Sequence, residues 1–167
     1  MARRETEETV TQSVLERLID LEPSVKADPP QTRQQSVRQL KAALRRDLEW
    51  LLNTRRIALD IADEYPELDR SVYNFGLPDF TAMSFSSPKD RSRLLRSLES
   101  SIRNYEPRLT AVKVSPVETT GEGSSKKLLR FQIEGLLKMD PAPEQISFDT
   151  VLQLTTGEYQ VKGDSGA

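Results

Sequence analysis

Glu106 and Arg108 flank a proline, and Arg55 and Arg56 stand side by side behind Asn53 and Thr54. These are the side chains whose type and spacing could do chemistry. As a general acid, Glu106 would need a raised pKa and a second carboxyl about 5–10 Å away. Asp69 and Asp79 are the candidates for that second group, and sequence spacing cannot place them. The plainer account makes Glu106 and Arg108 an intramolecular ion pair at a chain corner. Asn53-Thr54-Arg55-Arg56 reads in two ways as well. Its arginines complement a helix C-terminus, or they form a forked cationic pair aimed at carboxylates on a neighbour, a geometry guanidinium suits better than ammonium. The chain has no histidine and no cysteine. Thiol nucleophiles, histidine acid–base pairs and the usual zinc sites are thereby excluded, leaving only carboxylate or Ser/Lys-type catalysis chemically open.

A third segment, Val72-Tyr73-Asn74-Phe75-Gly76-Leu77-Pro78-Asp79, sets turn-forming residues among bulky apolar ones. Gly76 is expected at positive φ, where a side chain would be strained. Tyr73, Phe75 and Leu77 serve either as core plugs or as groups that a folded loop offers to a partner.

The elements that must position these segments are legible in the periodicity. Val37, Leu40, Leu44, Leu48, Leu51 and Leu52 recur at helical spacing, so a helix is expected over 36–53, with Ser36 as its cap. Ser87-Pro88 opens a second helix whose apolar face is Leu94, Leu95, Leu98, Ile102 and Tyr105. Pro107 ends it, giving 88–105. Period-two alternation predicts strands near 110–118, 127–138 and 146–156, connected by Thr119–Lys126 and by Asp140-Pro141-Ala142-Pro143. The expected fold is therefore α+β: two main helices packed on a small three-stranded antiparallel sheet. Leu44, Leu48, Leu98, Ile102, Val112, Ile133 and Leu152 are its expected core. Val14, Leu15, Leu18 and Ile19 mark a short N-terminal helical segment that must dock on something. The organisation follows: an arm and linker over 1–35, one folded domain over 36–157, and a flexible tail over 158–167.

Net charge is only −2, but the charges are blocked: residues 33–56 carry 7 basic and 2 acidic groups, and residues 91–113 carry 6 and 2. Such blocks are either solvated faces or basic ridges for acidic partners. Arg38, Lys41, Arg45, Arg46, Arg91, Arg93 and Arg96 raise a nucleic-acid-binding reading, against which stands the slightly acidic total. No apolar run approaches the roughly 18 residues a membrane span needs. The polar N-terminus does not read as a secretory signal, and the absence of cysteine permits a cytoplasmic home.

Taken in order, the three segments resemble the TssE family, the type VI secretion baseplate wedge subunits of the GpW/gene-25-like superfamily. Asn53-Thr54-Arg55-Arg56 is similar to that family's post-helix motif. Val72 to Asp79 is similar to its aromatic-glycine loop, with Phe75 where tyrosine is more usual. Glu106-Pro107-Arg108-Leu109 is similar to its helix-to-strand signature. The resemblance spans most of the chain, from Leu18-Ile19-Asp20 to the last predicted strand. It implies a structural protein with no catalytic, metal or cofactor site, working in the bacterial cytoplasm in a baseplate at the inner membrane. The implied partners are TssF and TssG, TssK, the sheath subunits TssB and TssC, and the hub and spike. The fold it implies is similar to a sheath-subunit domain that exchanges strands, so a free sheet edge could start the sheath. The superfamily's lysozyme-like label leaves a muramidase-like peptidoglycan hydrolase as the enzymatic rival.

Overall fold

The computed structural model describes residues 9–19, 23–25, 31–57, 64–80, 87–117 and 128–164. The predicted 119–126 connection and the outermost termini lie outside them. The chain forms two compact units, residues 1–44 and 45–167, divided within one helix.

In the first unit, α1 spans Val14–Leu18, where Ser13 accepts a hydrogen bond from the Glu16 amide as N-cap. Val14, Leu15, Leu18 and Ile19 are all exposed. The helix α2 runs Arg33–Asn53, three residues earlier than expected at its start. The reason is a reciprocal capping box: the Gln35 amide donates to Thr32 Oγ1 (3.3 Å), and the Thr32 amide donates to Gln35 Oε1 (2.9 Å). Ser36 is buried inside the helix instead, where its hydroxyl donates to Arg33 O and accepts from the Val10 amide.

The second unit contains the end of α2, two 3-10 turns at Pro66–Arg70 and Val72–Asn74, α3 at Pro88–Tyr105, and the sheet. Pro88 occupies the first turn of α3 with Asp90 beside it, so its start follows the expected punctuation. The sheet is an antiparallel meander in the order β1-β2-β3-β4, formed by Leu109–Pro116, Leu128–Leu137, Glu144–Gln153 and Tyr159–Asp164.

The three-strand expectation is thereby corrected to four. β4 occupies most of the 158–167 stretch expected to be a flexible tail, pairing with β3 as far as Asp164. Its alternation is short: Tyr159 and Val161 are buried while Gln160 and Lys162 are exposed. The turn before it also shortens β3, leaving Leu154 in the turn rather than in the strand.

β1 carries a bulge between Thr110 and Lys113, with Ala111 at φ 51°. Leu109 and Val112 are an odd number of residues apart, so a regular strand would put them on opposite faces. The extra residue turns Leu109, Val112 and Val114 all inward. The seven expected core residues are all buried, with Leu44, Leu48, Leu98 and Ile102 at 0% exposure.

Candidate functional site

Two of the three segments singled out in the sequence meet at the end of α2, and the third closes α3 and is tied to α2 through Asp47, all within the second unit. Arg55 and Leu77 form a parallel bridge: the Leu77 amide donates to Thr54 O (2.8 Å) and the Arg56 amide donates to Leu77 O (2.9 Å). Gly76, at φ +106°, permits this approach, since a Cβ there would lie 2.4 Å from Thr54 O. The buried Ser101 hydroxyl of α3 donates to Gly76 O (3.2 Å), fixing the same loop from the other side.

The aromatic loop is part core and part exposed surface. Leu77 is core at 2% exposure, and Phe75 packs edge-on against Tyr105 at 5.3 Å between ring centroids. The Tyr105 hydroxyl donates to Ser71 O (3.1 Å). Val72 and Tyr73 face outward, at 86% and 41% exposure. Pro78 is half-buried and Asp79 exposed. Asn74 is half-buried and engaged in an interaction of its own.

Asn53 does something the sequence did not disclose. Its side-chain oxygen accepts from the Tyr159 amide (2.9 Å), and its side-chain nitrogen donates to Tyr159 O (2.9 Å). The carboxamide thus takes both backbone groups of one β4 residue, as a neighbouring strand would. Arg45 adds a hydrogen bond to Val161 O (3.2 Å) on the same strand. On β1, Glu99 of α3 accepts from the Val114 amide (2.8 Å). Side chains of both helices therefore occupy pairing groups on the two outer strands, a common way to blunt sheet edges. Asn53→Ala should cost about 1–2 kcal/mol, roughly one to two net hydrogen bonds. Faster amide exchange at Tyr159 with a lowered urea midpoint is the expected reading.

Glu106-Pro107-Arg108 is a corner closed on itself. Glu106 is 5% exposed, and both of its carboxylate oxygens accept from Arg108. The Arg108 amide donates to the same carboxylate (3.2 Å), and a guanidinium nitrogen also reaches Asp47 Oδ2 of α2 (2.7 Å). The Glu106 hydrogen bond, strengthened by Asp47, raises the Arg108 pKa above its ordinary value although burial opposes it. Pro107 is exposed, Leu109 buried. The Lys138 amide donates to Arg108 O (2.8 Å), joining the corner to the end of β2. Asp47, the third member, was not foreseen. Its signal was one of only two acids in a basic helix, the other being Glu49.

Both Glu106 oxygens are occupied by guanidinium donors, so this carboxylate is not placed to act as the general acid of a hydrolase. The Asp69 side chain lies outside the described residues. Among them, no group of three acidic, histidine or cysteine side chains could hold a metal ion, and no helix is long and apolar enough to cross a membrane. Of the basic residues behind the nucleic-acid reading, Arg45 and Arg46 are turned onto their own chain: Arg45 meets Val161 O and Glu49, and Arg46 meets Asp47 and the Trp50 ring.

The family of baseplate wedge protein gp25 matches residues 38–142. This chain belongs to that family. The matched region contains all three segments together with α3, β1 and β2, whereas β3 and β4 lie beyond it. The family role is a structural one in the baseplate wedge. A solved structure described as the baseplate complex from the type VI secretion system contains a chain 20% identical to this wedge protein, at a TM-score of 0.45. That likeness covers 70% of this chain and 96% of the other. The comparison with curated proteins finds no match.

One pH effect follows from β4. Burial raises the Tyr159 pKa well above the ordinary tyrosine value, only partly offset by the nearby Arg55 charge. Below about pH 10 both folded and unfolded states keep this proton, and the contribution to stability is complete. At higher pH the unfolded state releases it first, so stability is lost as pH rises. Tyr159→Phe should flatten the alkaline fall in melting temperature relative to the wild type, measured between pH 8 and 11.

Proposed function

We propose that this wedge protein is the TssE-type subunit of a bacterial type VI baseplate, joining TssF and TssG near TssK and the hub and spike, and starting the TssB/TssC sheath. The observation that carries the reading is the family match over a region that contains all three TssE-like segments, two of them joined by the Arg55–Leu77 bridge. It works by binding and positioning, without catalysis or cofactor, on the cytoplasmic side of the inner membrane. Asn53 to Arg56, Tyr73 to Asp79 and Glu106 to Leu109 make up its assembly region. Within it, the outward-facing groups, Arg55, Arg56 and Tyr73, contact neighbours directly. Gly76, Leu77, Glu106 and Leu109 act by holding those groups in place.

Sheath initiation is by strand addition to β1 or β4. Asn53, Arg45 and Glu99 now occupy several of the groups an incoming strand would use, so addition exchanges side-chain bonds for backbone ones. Amide exchange of the purified protein, with and without sheath subunits, tests this: protection should rise along one outer strand. Unchanged exchange on both β1 and β4 would remove strand addition. Failure to co-purify with the wedge subunits would remove the baseplate assignment, and peptidoglycan turnover by purified protein would restore the hydrolase.

A further inference from the structure

Between the end of α2, the Leu77 segment and the β3–β4 turn lies a cavity of about 300 Å³. Leu52, Leu77 and Leu152 supply apolar walls, and Arg55, Tyr159 and Gly157 complete it. Its size is near the lower limit for ligand pockets, enough for one or two side chains rather than a cofactor.

Two polar groups in this wall are unmatched. The Arg55 guanidinium makes no hydrogen bond or ion pair among the described residues, although its backbone is held by Leu77. Tyr159 is only 6% exposed, and its hydroxyl likewise finds no hydrogen-bond partner among the described residues. The two groups are close enough for the Arg55 charge to act on the tyrosine. Gly157 faces the same guanidinium: a Cβ there would lie 3.2 Å from its terminal nitrogen, so the bare backbone leaves the arginine room.

We propose that this cavity binds a segment of a partner protein in which a carboxylate side chain adjoins an aliphatic one. The carboxylate takes the Arg55 fork and the Tyr159 hydroxyl, and the aliphatic group enters among Leu52, Leu77 and Leu152. A charge-assisted fork recognises a planar carboxylate, and the apolar walls strengthen it by excluding water. Phosphate fits less well, because one guanidinium meets it and Asp79 shares the wall. Asp79 is already engaged in an interaction of its own. The proposal deepens the assembly reading by stating what chemistry Arg55 receives.

The test uses the full chain, isotope-labelled, titrated with acetyl-Leu-Glu-Leu-amide and with its glutamine counterpart, reading the amides of Leu77, Gly157 and Tyr159. The glutamate peptide should bind about tenfold or more tightly than the glutamine peptide, the usual worth of a charged hydrogen bond. Arg55→Gln should abolish that difference while leaving the spectrum of the folded protein dispersed. Tyr159→Phe should reduce it. Equal binding of the two peptides, or the same preference in Arg55→Gln, would overturn the site. So would stronger binding of inorganic phosphate or a short oligonucleotide at the same amides. If the peptide preference is absent while wedge subunits still co-purify, this site alone fails. If it is present without co-purification, the baseplate assignment fails instead.

Discussion

Glu106→Ala should be among the most damaging single substitutions in this protein, lowering stability by about 3–5 kcal/mol, the usual penalty for breaking a buried ion pair. In a chain of this size that corresponds to a fall in Tm of roughly 10 °C. The carboxylate is nearly inaccessible and receives three donors from Arg108. Removing it leaves a guanidinium whose side chain is 23% exposed with Asp47 as its remaining partner. Asp47→Asn should cost less, about 1–2 kcal/mol, because that side chain is 27% exposed and keeps one oxygen to accept. Asp47→Asn and Arg108→Ala combined should be clearly non-additive, since both act on the same contact. An Arg108 that faced a partner alone would leave the melting curve nearly intact on replacement by alanine and lose only assembly. With its donors on two carboxylates of its own chain, the expected result is now a destabilised protein, and any assembly defect should follow from that. Thermal melts of Glu106→Ala and Arg108→Ala decide the matter. Unchanged melts with lost recovery in the wedge complex would restore the partner role.

The parts of this fold written in local periodicity were legible, and those written in long-range pairing were not. The second main helix could be bounded because Ser87, Pro88 and Pro107 act within a turn of its ends. The start of α2 was misplaced because Ser36 and Thr32 both resemble caps. Only the reciprocal bond with Gln35 distinguishes them. β4 was missed because six residues ending in Gly163-Asp164 carry little apolar signal. Its place is secured by Asn53, 106 residues earlier, a coupling no local window contains. The same limit applied to the candidate site. Residue types identified Arg55, Gly76 and Glu106 as special, but that Asp47 completes the corner and Tyr159 the cavity depends on which elements the fold brings together.

Gly76→Ala should cost at least about 3 kcal/mol, more than backbone strain alone. Two penalties coincide at this position. At φ +106° an L-residue is strained wherever it sits. In addition, the new Cβ would stand 2.4 Å from Thr54 O and 2.8 Å from Thr54 C, which are backbone atoms that no rotamer change can clear. Relief requires the Leu77 segment to separate from Thr54, breaking the two hydrogen bonds of the Arg55–Leu77 bridge. Gly157→Ala supplies the control. It too has positive φ, but its Cβ would meet only the end of the Arg55 side chain, at 3.2 Å, and that end can move aside. Its cost should be strain alone, about 1 kcal/mol. Urea unfolding should therefore show a small midpoint shift for Gly157→Ala and a large one for Gly76→Ala. Faster amide exchange at Leu77 and Arg56 should appear only in the second. Equal shifts would mean that the bridge carries little of the stability, and that the post-helix motif and the aromatic loop are neighbours without being coupled.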